Sequence, residues 1–158
     1  MAGEEKRPER PRRGIASDAV IIHEGKILLG QRDREPFAGH WALPGGFIEH
    51  GETIEGTCAR EAFEETRIRV KNLRMIGVYS EPGRDPRGTV TIPFLCDVEG
   101  STEAKAQDDA RAVRWFELDK LPALAFDHGK IVSDALTLKE NEARAMRQRE
   151  CEGRRTRG

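Results

Sequence analysis

Apolar residues along the chain gather into short runs separated by glycine, proline and charge, and the spacing inside each run predicts its structure. Residues 19–23 (AVIIH) and 26–30 (KILLG) are aliphatic strands around Glu24-Gly25, a hairpin signal. Residues 31–39 (QRDREPFAG) are polar and rich in breakers, hence a loop. Residues 40–43 and 46–48 read as strand pieces interrupted by Pro44-Gly45, and a helix follows with Thr53 as its N-cap. Residues 70–79 predict one long or bent strand, and residues 80–88 (SEPGRDPRG) a loop. The most β-like run is 89–98 (TVTIPFLCDV), where Pro93 implies an edge or a bulge. Residues 112–117 (AVRWFE) form another strand, with a helical turn at 118–121. A long amphipathic helix over 129–149 carries Ile131, Ala135, Leu138 and Glu142 at helical spacing. Strands on both sides of one central helix, with a second helix at the end, predict an α/β fold: a mixed β-sheet held between helices.

Composition changes this picture little. The 158 residues fit one domain with room for a core, no linker divides them, and the net charge of −1 gives no global field for a nucleic-acid partner. The charge is uneven. Residues 144–158 hold six arginines against Glu150 and Glu152, and residues 3–14 are charged and proline-broken. The reading is a single domain over 16–143, a tail over 1–15, and a helix end with basic tail over 144–158. Cys58, Cys96 and Cys151 stand far apart without CxxC spacing, which fits a reducing cytoplasm, and no stretch is apolar enough to span a membrane.

The candidate chemistry lies in residues 43–68, LPGGFIEHGETIEGTCAREAFEETRI. On the predicted helix, Arg60, Glu61, Glu64 and Glu65 fall within one arc, with Cys58, Ala59, Ala62, Phe63 and Thr66 opposite. Glu61 and Glu65 are a like-charge i,i+4 pair, which costs an isolated helix a few tenths of a kcal/mol. A solvated surface face is one reading. The other is a site for a hard divalent cation, because the glycine turn can bring backbone groups beside converging carboxylates.

The spacing Gly46-x5-Glu52-x7-Arg60-Glu61-Ala62-x-Glu64-Glu65-x-Arg67-Ile68 resembles the Nudix box, G-x5-E-x7-R-E-U-x-E-E-x-G-U with U a bulky aliphatic. That box marks hydrolases of nucleoside diphosphates linked to another moiety. The chain departs at Ala62, small for U, and at Arg67, where glycine normally ends the helix in a left-handed conformation. The resemblance implies an α/β/α sandwich. It also implies Glu61, Glu64 and Glu65 as ligands of Mg²⁺ or Mn²⁺, with Glu61 a ligand or base and a backbone carbonyl near Gly45 and Gly46 completing the set. Arg60 would orient a glutamate. Glu52 would stabilise the loop–helix junction or reach the metal through water.

Residues 36–47 (PFAGHWALPGGF), the 80–88 loop and residues 126–136 (FDHGKIVSDAL) resemble segments of ADP-ribose pyrophosphatases of this family. Arg84 and Arg87, with Arg32, are candidate contacts to phosphate or carboxylate; alternatively Asp85 pairs with a neighbouring arginine. Phe37 and Trp41, with Trp115, either stack on an adenine or belong to the core. Asp108 and Asp109 either contact the base, carry a carboxylate toward the metal, or form a polar turn. Glu103 is a further candidate base, and His40, His50 and His128 show no metal spacing. The activity implied is hydrolysis of ADP-ribose to AMP and ribose 5-phosphate by a homodimer. A nucleoside triphosphate pyrophosphohydrolase and a non-catalytic ADP-ribose sensor are the alternatives.

Overall fold

The computed structural model describes residues 10–107 and 110–155. Its strands are β1 (Ile15–His23), β2 (Lys26–Arg32), β3 (Trp41–Ala42), β4 (Gly45–Phe47), β5 (Arg69–Met75), β6 (Val90–Thr91), β7 (Phe94–Glu99) and β8 (Ala110–Glu117); the helices are α1 (Ile54–Thr66) and α2 (His128–Arg155). The sheet runs β3-β2-β1-β7-β5, with β4 and β6 also on β1 and β8 on β2. It is mixed: β1 runs parallel to β6 and β7, whereas the pairings β1–β2, β1–β4, β2–β8 and β5–β7 are antiparallel.

The central strands β1, β2 and β7 are buried on both faces over much of their length, which explains their apolar runs. Side chains alternate across a strand, so Ala19 and Ile21 of β1 join Leu28, Phe94 and Cys96 beneath Cys58 and Ala62 of α1. Val20 and Ile22 point the other way and join Ile27, Leu29 and Leu95 against Ile131, Val132 and Ala135 of α2. The central helix can lie close because its buried face is Thr57, Cys58, Ala62 and Thr66. A larger aliphatic at Ala62, 0% exposed, would have to push the helix off the sheet.

Thr53 caps α1 as expected, its Oγ1 accepting from the Gly56 amide at 3.0 Å. Arg67 takes the left-handed conformation (φ 62°) that the helix end requires, its amide still donating to the Phe63 carbonyl at 2.9 Å. The strand expected over 70–79 stops at Met75. Pro93 divides β6 from β7 and leaves no continuous partner beyond that point, so Tyr79 makes only an isolated bridge to Thr91. The terminal helix runs past the expected end at 149 to Arg155, since no proline interrupts it. Near the other end, Arg13 donates to the carbonyls of Gly88 (2.6 Å) and Ser80 (2.8 Å), tying residues ahead of β1 to the 80–88 loop.

Candidate active site

Where β4 leaves the sheet and α1 packs on it, a cleft of about 370 Å³ opens. Two groups of side chains meet there. The first is acidic and surrounds the glycine turn: Asp18, Glu61 and Glu65. The second is cationic and includes Arg32, Arg84 and Arg87 near Phe126.

The glycine turn works by close approach. Gly45 and Gly46 pair with Asp18 and Ser17 of β1, and a Cβ on Gly45 would fall 2.2 Å from Asp18 Oδ1 and 2.5 Å from the Ser17 carbonyl oxygen. One on Gly46 would fall 2.4 Å from Glu61 Oε1. Only residues without a side chain let these carboxylates lie against the backbone. The Gly45 amide donates to Glu65 Oε2 at 3.2 Å, joining turn and helix.

Arg60 organises the acidic face of the helix. Its Nε and Nη2 donate to the two oxygens of Glu52, its Nη1 to Glu61 (2.8 Å) and Glu64 (3.1 Å), and its Nη2 also to the Phe47 carbonyl (3.1 Å). The bidentate bond from Arg60 and the Glu49 amide hold Glu52 at a pKa of about 2. Glu52 is therefore an ionised bracket between loop and helix. Glu61 goes the other way, because burial raises its pKa against the pull of Arg60. Burial and the like charge of Glu61 lift Glu65 further, to about 8. Glu64 is bonded to Arg60 and does not itself line the cleft, its side chain about half exposed.

Asp18, which interrupts the apolar run of β1, was not among the residues picked out by spacing. Its Oδ2 accepts from the Thr91 hydroxyl at 2.5 Å, and His128 Nε2 stands 3.8 Å away. His128 Nδ1 accepts from the Leu43 amide at 3.0 Å, so the ring's proton sits on Nε2, facing Asp18. Full burial pushes the imidazole's pKa down and keeps it neutral. A charged residue within a buried strand is the one sequence signal that marks Asp18; His128 has no comparable signal.

The cationic residues are held unequally. Arg84 is nearly buried and committed to Asp127 and the Thr89 carbonyl. Arg87 donates through Nε and Nη2 to Asp85, the pairing anticipated as the alternative for this turn. Arg32 donates from Nε to the Pro36 carbonyl at 2.7 Å, and burial, then the charge of Arg87, lowers its pKa. Phe37 packs edge-on against Phe126 at 4.9 Å. Trp41 lies on the core side against Phe116 at 4.8 Å, and Trp115 donates to the Thr102 carbonyl, so neither indole lines the cleft. Glu103 sits on an exposed turn beside Lys105. Asp108 and Asp109 lie outside the described residues.

Among the described residues, no three acidic, imidazole or thiol groups converge closely enough to hold an ion by themselves. The donors nevertheless suit a hard cation. They are carboxylate and backbone oxygens, and three carboxylates share a cleft in which burial and mutual repulsion already raise Glu65. A divalent cation bound there would neutralise that charge.

A sheet between two helices, with a glycine turn feeding an acidic helix, defines a class. The NUDIX domain model matches residues 12–135, and the chain belongs to the Nudix family. It is 49% identical over 126 residues to the ADP-ribose pyrophosphatase of Methanocaldococcus jannaschii, covering 79% of this chain and 74% of that protein. Among solved structures it resembles a MutT/nudix family protein from Enterococcus faecalis, with TM-score 0.78 and 30% identity, covering 87% of this chain and 66% of the other. It also resembles the NUDIX domain of Shewanella oneidensis NrtR complexed with ADP ribose, with TM-score 0.73 and 30% identity, covering 81% and 89%.

Proposed function

We propose that this Nudix hydrolase cleaves ADP-ribose at its diphosphate to give AMP and ribose 5-phosphate. The observation that carries this reading is one cleft bringing Glu61 and Glu65 together with Arg32 and Arg87. The likeness to an ADP-ribose pyrophosphatase supports the choice of substrate.

A pyrophosphate bridge resists water because its anionic oxygens repel a nucleophile. Mg²⁺ or Mn²⁺, held by Glu61, Glu64 and Glu65 with the Gly45–Gly46 backbone, would supply a Lewis acid and lower the pKa of water. Glu65, half-buried and bonded to the Gly45 amide, is fixed before substrate arrives. Arg60 holds Glu61 and Glu64 at set positions, and Glu52 fixes Arg60. Arg32 and Arg87 bind phosphate oxygens and stabilise charge at the departing phosphate. Asp18, kept in place by Thr91, adds negative charge beside Glu65 and strengthens the demand for a cation.

The domain over 16–143 acts as a homodimer in the cytoplasm, and sedimentation and fractionation test those two statements. Among the described residues no helix is long and apolar enough to cross a membrane. The deciding experiment is hydrolysis of ADP-ribose beside dinucleotides, nucleotide sugars and triphosphates, with Mg²⁺, with Mn²⁺ and with EDTA. Selective, metal-dependent release of AMP from ADP-ribose is expected, and Glu65→Gln should abolish it while leaving the fold intact. Pyrophosphate release from a triphosphate would replace this reading with nucleotide-pool cleansing. Tight ADP-ribose binding without turnover would replace it with sensing.

A further inference from the structure

Phe126 belongs neither to the box nor to the charged loops, yet it lies between them. It immediately precedes Asp127 and α2, lines the cleft, and takes a left-handed backbone conformation (φ 53°) that a bulky residue rarely adopts. The guanidinium of Arg32, from the end of β2, stands 4.9 Å from its ring centroid, and that of Arg87, from the 80–88 loop, stands 5.4 Å from the same ring. Both distances are within cation–π range. Two cations that repel one another are thus gathered on one aromatic surface beside the carboxylates.

The ring itself is braced. Phe37, also at positive φ (64°), packs edge-on at 4.9 Å, and the His128 ring lies 5.2 Å away. Arg32 is tethered through Nε to the Pro36 carbonyl, and Arg87 through both Nε and Nη2 to Asp85, with the Phe47 ring also 5.4 Å from its guanidinium. Among the described residues no hydrogen bond engages the two terminal nitrogens of Arg32.

We infer that Phe126 is a positioning residue: its ring holds Arg32 and Arg87 together as a clamp for the diphosphate of the substrate, an inference resting on the diphosphate reading above. Beside the Asp85 carboxylate that pairs with Arg87, the ring's quadrupole offsets the remaining repulsion between the two cations, and its position fixes the direction of the terminal donors of Arg32 and of Arg87 Nη1. It contacts the guanidiniums and not the base, so its effect follows the diphosphate whatever is attached at either end.

The test is equilibrium binding of inorganic pyrophosphate, and separately of uncleavable α,β-methylene ADP-ribose, to the full chain with Mg²⁺, alongside thermal melts. Phe126→Leu should weaken both ligands by about tenfold, and Phe126→Trp should restore wild-type affinity. In an Arg32→Gln background the effect of Phe126→Leu should shrink, because one of the two cations it holds is gone. Phe126→Met replaces the leucine variant if that does not fold. Unchanged pyrophosphate affinity overturns the inference, as does an undiminished loss in the Arg32→Gln background. Weakening of the ADP-ribose analogue alone also overturns it, by placing the ring against base or sugar. Pyrophosphate carries only the diphosphate, so the clamp can stand even if the chain fails to hydrolyse ADP-ribose.

Discussion

The Arg84 guanidinium grips the Asp127 carboxylate through one edge, Nε to Oδ2 at 2.9 Å and Nη2 to Oδ1 at 2.5 Å, and its Nη1 holds the Thr89 carbonyl at 3.0 Å. This nearly buried pair fastens the 80–88 loop to the start of α2. Arg84→Ala should destabilise the protein by about 3 kcal/mol, because it strands a partly buried carboxylate. Calorimetry should show a melting point lower by roughly 10 °C, with Arg84→Lys falling between the variant and wild type because a single ammonium cannot reproduce the bidentate contact.

The two turn glycines should fail differently. The nearest atoms to a methyl on Gly46 are those of the Glu61 head, which can swing aside, so Gly46→Ala should keep its melting point within a few degrees and lose about 100-fold in turnover. A methyl on Gly45 meets the Ser17 carbonyl and, at 2.9 Å, the Asp18 Cα. That backbone cannot move without parting β4 from β1, so Gly45→Ala should cost about 1–3 kcal/mol of stability. Melts and kinetics run side by side separate the two.

Glu65, lifted by burial and by Glu61 to a pKa of about 8, gives the metal-free protein a pH dependence of definite sign. Above its unfolded value of 4.5 the unfolded chain has lost a proton that the folded chain keeps, so stability falls as pH rises toward 8. Below about 6.5 neutral, buried His128 opposes this, because only the unfolded chain protonates it freely. The melting point in EDTA should therefore fall between about pH 6.5 and 8, and Glu65→Gln should remove most of that slope. Mg²⁺ should raise the melting point more at pH 8 than at pH 6.5 and release a proton on binding, readable by titration calorimetry in buffers of different ionisation enthalpy.

Arg67 stands where the Nudix box has glycine, at φ 62°. Arg67→Gly should relieve about 1 kcal/mol of backbone strain. The contact of Arg67 with the Phe63 ring at 5.2 Å is lost, but Arg69 still covers that ring at 4.6 Å. The melting point should rise by about 2–4 °C with turnover unchanged, and a lower melting point would show the side-chain contacts to outweigh the strain.

Local pattern carried much of this protein in plain view. Apolar runs and breakers marked β1, β2, β7, β8 and both helices, because central strands buried on two faces are continuously apolar and Thr53 caps its helix within three residues. The box spacing marked Arg60, Glu61 and Glu65, since residues along one helix keep their angular relation in any fold, and Glu52 just ahead of the helix cap. It could not tell Glu61 and Glu65, which line the cleft, from the half-exposed Glu64, which does not, because that depends on where the sheet lies. Nor could it separate Arg84, a nearly buried tether, from the more exposed Arg87: both occupy one loop and line the cleft, and only the position of Asp127, 43 residues on, divides them. Asp18, His128 and Phe126 come from β1 and the approach to α2, and nothing local joins them to the box. Their burial, the raised pKa of Glu65 and the gathering of two arginines on one ring are properties of contact across the chain, so only the tertiary structure decided them.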